Sequence, residues 1–453
     1  MTSETAPLPK HEESKSTDEE TAEIERTAEV DPMLGETKIP IDRHHFVCLI
    51  ILLHGIGTLL PWNMFINIAL SYYMYFKIME KNKAGDLVST PLSENFLSYM
   101  NLASLVPNLL LNLVNVFIPV KGDLTKRICT ALSIVGLVLV RTVAVRSSAE
   151  LINGEWRIAF TGLTLVTIVI LNSANGIYQN NVFGMAADLP FKYTNAVIIG
   201  NNLCGTFIAL VNIFTFSAWL VCLIVCFISL FTLRKLPYYI YYKEQGALAA
   251  NSDHIETKVT MQNYIDTFKQ GWRMFLNVFL VFFVTLTCFP GLMVAAVSDA
   301  GYGQTYNFPI SENLFISITC FLLFNVFAFI GSLLASRLQM PANKLWIAVY
   351  ARIVFIPLFF FCNCHVATRR WPVFFPSTYL YVFMAILMSI SSGYLSGLGM
   401  MYAPSSVDAS KQRIAGMMAG FFFILGIVLG LAFNNAVLFV LTNLGPLAPY
   451  HYL

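Results

Sequence analysis

Long runs without charge, separated by short polar interruptions, set the pattern of this chain. The first run, Phe46–Phe76, holds 31 residues with no Asp, Glu, Lys or Arg. A helix rising 1.5 Å per residue needs about 20 apolar residues to cross a bilayer, so this run is long enough to span. Further apolar segments lie near Phe96–Val120, Ile128–Val145 and Ile158–Ala187, followed by a 41-residue charge-free run, Tyr193–Leu233. As one helix that run would measure ~60 Å, twice the hydrocarbon thickness. It is therefore read as two spans folded back on each other, with a tight turn near Phe216–Trp219. After a polar interruption at 234–273 come segments near Met274–Val297, Asn313–Ser336, Leu345–Cys362, Tyr379–Tyr402 and Ile414–Leu441. The pattern predicts an all-α membrane protein of eleven transmembrane helices, six before the interruption and five after it.

Polar residues inside these runs also repeat at helical spacing. Asn101, Ser104, Asn108, Asn112 and Asn115 fall at 0, +3, +7, +11 and +14, and Asn172, Asn175, Gly176, Gln179 and Asn180 at 0, +3, +4, +7 and +8. Each set makes a stripe down one helical face. An amide at membrane depth must face protein or water, because an unpaired polar group in hydrocarbon costs several kcal/mol. Two readings fit: hydrogen bonding between helices, or the wall of a polar cavity, which two stripes favour over one. In the first span, Gly55, Gly57, Pro61, Trp62 and Asn63 interrupt an otherwise aliphatic run. Leu59, Trp62 and Ile66 share one face there. This segment is either a kinked helix packed through its glycines or another wall of the same cavity. Gly200 and Gly205 allow close approach of helix backbones, and Arg352 within the ninth segment is either a functional cation or a structural clamp.

Composition agrees: 57% of residues are hydrophobic, 12% are charged and the mean hydropathy is +0.65. The net charge of +2 conceals an asymmetry, since residues 1–45 hold 12 acids and 5 bases. That tail is poor in aromatics, is expected to be disordered, and carries no apolar signal-peptide core. With the N-terminus in the cytoplasm, inward loops carry 14 bases and outward loops 7, as positive-inside bias requires. The resulting division is a cytoplasmic tail (1–45), a six-helix bundle (46–233), a cytoplasmic loop (234–273), a five-helix bundle (274–441) and a short extracytoplasmic C-terminus (442–453). Nine cysteines without repeated spacing argue against a disulfide framework. Cys362-Asn363-Cys364-His365 lacks the four converging ligands of a zinc site, so neither metal nor cofactor is expected. The chain has no phosphate-binding G-x-x-x-x-G-K-S/T motif and no acid deep within a span, which points away from ATP, proton or sodium coupling. His54 stands without partner acids or nucleophiles in its span, so an enzyme is not expected either.

Several motifs in order resemble the equilibrative nucleoside transporter family. They are Gly57-Thr58-Leu59-Leu60-Pro61-Trp62-Asn63, Gln179 with Phe183-Gly184, Leu236-Pro237 to Tyr241-Tyr242, Phe324-Asn325-x-Phe327, Arg352-x-x-Phe355-x-Pro357, Cys362-Asn363 and Ser392-Gly393-Tyr394-Leu395. The resemblance implies a six-plus-five bundle similar to the major-facilitator architecture and facilitated diffusion of nucleosides, often also nucleobases, by alternating access. It implies a multi-pass protein of the plasma membrane, or alternatively of endosomal or lysosomal membranes, whose partners are small solutes and lipid, not nucleic acid. It also puts Leu59, Trp62, Ile66, Leu105, Asn108, Gln179, Phe289, Phe321, Asn325 and Ile427 near the substrate. One departure stands out. Where most members carry an Asp and an Arg four residues apart in the eighth span, this chain has Ala328 and Ser332. Losing both together avoids a buried unpaired ion, and it leaves a shifted substrate, such as a nucleobase or an organic cation, as an alternative. A non-transporting membrane protein is the weaker one.

Overall fold

The structure is a computed structural model that describes residues 40–68, 78–81, 87–88, 90–117, 124–146, 154–211, 217–252, 261–296, 308–365 and 369–446. Its long apolar runs are helices. In the first part of the chain these are α1 (Phe46–Ile68), α2 (Pro91–Phe117), α3 (Leu124–Arg146), α4 (Gly154–Ala187), α5 (Phe191–Val211), α6 (Ser217–Leu233) and α7 (Pro237–Ser252). The later part forms α8 (Met261–Thr287), α9 (Leu314–Arg337), α10 (Ala342–Phe360), α11 (Thr378–Ser405) and α12 (Gln412–Asn443). Two-residue strands at Glu80–Lys81 and Leu87–Val88 form the one sheet among the described residues. Among those residues, seven helices are long and apolar enough to cross a membrane, or eight if the bent pair α6–α7 counts as one span. That pair turns by 66° just before Pro237, where proline lacks the donor that would continue the ladder.

Two details differ from the sequence pattern. Ser217–Trp219, where the fold-back turn was expected, already belong to α6, and residues 212–216 lie outside the described residues. The polar interruption at 234–273 contains α7 and the first turns of α8. Mixed polar sequence is enough for a helix when Tyr238, Tyr239 and Tyr264 bury against the bundle.

The faces of α2 follow from its spacing. Leu102, Val106, Leu110 and Val114, each four residues apart, are exposed along one side, while Ser104 and Asn112 are buried on the other. An apolar exposed stripe opposite a polar buried one is the arrangement that lipid imposes. The main apolar core joins α1 to α5 with residues of α8 and α12. A second core lies among α8 to α12.

Small residues set the closest contacts. Gly55 in α1 lies against the Val197 carbonyl of α5, and Gly200 in α5 against the Leu52 carbonyl of α1. Each glycine lets the partner backbone approach where a methyl would collide, which is how helices associate in lipid. Gly331 and Gly393 do the same between α9 and α11, against the Ile390 and Ala328 carbonyls. Beyond α8 the helix opens at Phe289, whose backbone is extended (φ −106°, ψ 135°), ahead of Pro290 and Gly291. Asn434 of α12 braces the break by donating to the Thr287 carbonyl (2.7 Å). Arg369 organises the turn after α10, donating to the carbonyls of Phe360, Cys362, Cys364, Trp371 and Pro372.

Candidate functional site

The polar interior is built first from α4. Successive helical residues point about 100° apart. Tyr178 turns toward α1, where its hydroxyl meets His54 Nδ1 at 2.8 Å, and the far ring nitrogen of His54 meets Ser229 of α6 at 3.3 Å. Asn180 turns the opposite way and donates to Asn112 of α2 and to the Met417 carbonyl of α12, both at 3.2 Å. Gln179 therefore points between these neighbours into the bundle. It is 1% exposed, and its Nε2 has no hydrogen-bond partner among the described residues. Asn175, one turn earlier, is also buried with an unpartnered Oδ1 among them. Buried amides left unsatisfied are costly; Asn181, Asn195 and Asn201 also hold such an atom among the described residues.

Across from α4, the α2 stripe supplies Asn108, which is half-buried beside Gly176. Leu105 on α2 and Leu59 on α1 are half-buried as well, and Leu59 packs on the main core with Ile427 of α12. The side chains of Trp62, Ile66 and Asn115 lie outside the described residues.

From the other part of the chain come aromatic rings and a second amide. Phe289, held at the break after α8, stacks on Phe324 with ring centres 3.9 Å apart and meets Phe321 edge-on at 5.8 Å. Phe321 is 38% exposed and sits in a π-helical turn, Ser317–Leu322. Asn325 donates to the Phe321 carbonyl (2.8 Å), and its Oδ1 abuts Gly205 of α5, where no side chain would fit.

Ala328 and Ser332 are buried below it. Their carbonyls accept from Asn202 (3.4 Å) and Asn195 (3.0 Å) of α5. Arg352 is buried too, and its hydrogen bonds among the described residues go to neutral acceptors: the Val281 and Met388 carbonyls, Thr285 and Ser391. It joins α10 to α8 and α11, away from the amide face of α4.

The structure thus gathers Gln179, Asn108 and Asn175 where α2 meets α4, and Phe289, Phe321 and Asn325 around the break after α8 and the first turns of α9. Sequence spacing missed Asn195, Asn202 and Asn434, which tie helices across the bundle. Their signal was three further amides inside charge-free runs, without the repeat that drew attention to the others.

Contacts between α1–α6 and α8–α12 run along α5 from Asn195 to Gly205, and several more lie near Asp188. There Gly416 and Gly420 of α12 pack on Phe183 of α4, Gly397 of α11 on Asn195, and Arg413 lies 3.7 Å from Asp188 at the end of α4. Burial pushes the Asp188 carboxyl up to about 6, although the nearby Arg413 and Lys243 charges work against the rise. Asp408, on the surface, is held below the usual carboxylate range by hydrogen bonds from Lys411 and Gln270.

Helical spans with buried amides and glycine-lined crossings define a polytopic membrane protein of the transporter kind. Its fold is similar to that of a human organic anion transporter solved by crystallography, with a TM-score of 0.53 over 89% of this chain and 95% of that one at 10% identity. A family model described as nucleoside transporter matches residues 165–441, and the chain belongs to this family of transporters. It is 28% identical to human equilibrative nucleoside transporter 1, over 87% of this chain and 97% of that protein. It is likewise 28% identical to human equilibrative nucleoside transporter 2 (86% and 96%), and 24% identical to equilibrative nucleotide transporter 1 of Arabidopsis thaliana (88% and 88%).

Proposed function

We propose that this protein carries nucleosides passively across the plasma membrane through a pocket between Gln179 and Asn108 on one side and Phe289, Phe321 and Asn325 on the other. The observation that carries the reading is Gln179, buried with an unpartnered donor and aimed into the bundle. An amide offers donor and acceptor together, which suits the edge of a neutral base. The stacked Phe289 and Phe324 present an aromatic slab to its face, and Trp62, which shares a helical face with Leu59 by its spacing, is the second aromatic residue of the proposal. Eleven crossings, a cytoplasmic N-terminus and alternating access between the two bundles complete it.

Nucleobases are the second substrate class, favoured by Ala328 and Ser332. A carboxylate and guanidinium at these two positions would give ribose hydroxyls charged partners, and this chain has neither.

The test is uptake of labelled adenosine, uridine and hypoxanthine into proteoliposomes, with and without a pH gradient. Saturable uptake that is accelerated by substrate on the far side and stops at equal concentrations is expected. Accumulation against a gradient would sink the passive reading. Introducing Ala328→Asp with Ser332→Arg should shift preference toward nucleosides over bases, and an unmoved ratio would remove the α9 argument.

A further inference from the structure

Three amides form a chain that runs from α12 to the proposed pocket. Asn180 Nδ2 donates to the Met417 carbonyl (3.2 Å) and to Asn112 Oδ1 (3.2 Å). Asn112 Nδ2 donates to the Asn108 carbonyl (2.9 Å) and to Asn108 Oδ1 (2.7 Å). Asparagine oxygen and nitrogen are distinguished here by their partners. A backbone carbonyl accepts only, so Met417 fixes which end of Asn180 is NH2, and the Asn108 carbonyl fixes the same for Asn112. With both set, Asn108 must turn its oxygen toward Asn112 and its NH2 away from it. Asn112 and Asn180 are fully buried, whereas Asn108 is half-buried, with its Oδ1 and the Asn112 Nδ2 against Gly176, one turn of α4 from Gln179.

We propose that Asn112 and Asn180 are positioning residues that hold Asn108 as a hydrogen-bond donor, so that the pocket selects a base bearing an acceptor atom at that place. This rests on the reading of Asn108 as a wall of the nucleoside pocket. The physical consequence is one of polarity. Alone, an asparagine rotates its amide to offer either end, and a base edge of either kind would satisfy it. Locked through Asn112, it offers NH2 only, and a substrate without the matching acceptor leaves that group unpaired. Because the outermost link is a carbonyl of α12, separation of α4 from α12 at this end also removes the restraint on Asn180, which ties the pocket's hydrogen bonding to contact between the two parts of the bundle.

The experiment compares adenosine with its 1-, 3- and 7-deaza analogues, each replacing one ring-nitrogen acceptor by C–H, in proteoliposomes where KM and Vmax are measured separately. In the wild type, one analogue should show a KM about five- to tenfold above that of adenosine, the worth of one lost hydrogen bond. Asn112→Leu should bring that ratio to within about twofold of unity, and Asn180→Leu should lower it partway. Asn108→Asp, which offers no NH2, should abolish it. Equal KM for all three analogues in the wild type overturns the proposal. So does Asn112→Leu if it keeps the wild-type ratio or weakens every substrate by one factor. If Asn112→Leu does not reach the membrane, an unchanged ratio in both Asn180→Leu and Asn108→Asp overturns it equally. Failure of the underlying reading looks different: adenosine KM would then be indifferent to Gln179→Leu and to Asn108→Asp.

Discussion

Gln179 shows how the direction of a single side chain is set by its two neighbours. Tyr178 and Asn180 are each committed to another helix, and the residue between them is left facing the interior with a donor to spare. Gln179→Leu should raise the half-saturation concentration for nucleosides by about tenfold, with protein abundance changing less, as measured by uptake normalised to surface labelling. Amide spacing alone makes this residue legible, as it does Asn108 and Asn112. What spacing cannot convey is direction along the chain of hydrogen bonds, since Asn112 and Asn108 look alike in sequence and only their partners assign donor and acceptor. Arg352 is ambiguous in sequence for a similar reason. Its neighbours Thr285 and Ser391 are distant along the chain, and the cage they build joins helices. Arg352→Leu strands two backbone carbonyls and two hydroxyls among apolar residues, so it should lower the melting temperature of purified protein by several degrees. A loss of uptake without any change in melting would contradict that account.

At the scale of helices, charge-free length locates the seven or eight helices among the described residues that are long and apolar enough to cross a membrane, because membrane thickness fixes how much apolar chain each needs. The connections are less legible. A bend such as the 66° turn between α6 and α7 depends on what the tyrosines beyond Pro237 find to pack against, and a polar segment becomes helical when such a surface exists. Glycines illustrate the same limit. Gly162 and Gly200 are both helical glycines, yet a methyl at Gly162 meets nothing within 4 Å among the described residues, while one at Gly200 strikes the Leu52 carbonyl. Gly200→Ala should therefore destabilise the α1–α5 crossing by about 1–3 kcal/mol and reduce surface abundance. Gly162→Ala should be neutral or slightly stabilising. Thermal unfolding of the two variants side by side decides the matter, and equal behaviour would mean the crossing is not set by close backbone approach.

For the whole molecule, the end where α4, α5, α11 and α12 meet carries a titratable contact. The Asp188 carboxyl has a raised pKa while packed beside Arg413 and would return toward its ordinary value once hydrated. A group that binds its proton more tightly in one arrangement favours that arrangement as pH falls. Below about 6, acid therefore stabilises the packed end, and the effect fades above that value. Exchange of labelled nucleoside should slow between about pH 7 and pH 5, and Asp188→Asn should be slow and flat across the same range. A wild-type rate that rises on acidification would reverse the sign and remove Asp188 as its source. One last consequence belongs to Arg352. Its positive charge is held by uncharged oxygens, so none of these partners cancels its field. Low-dielectric surroundings carry that field far. A protonated amine approaching that charge would meet repulsion, whereas a neutral heterocycle would not, so Arg352 disfavours cations in its vicinity.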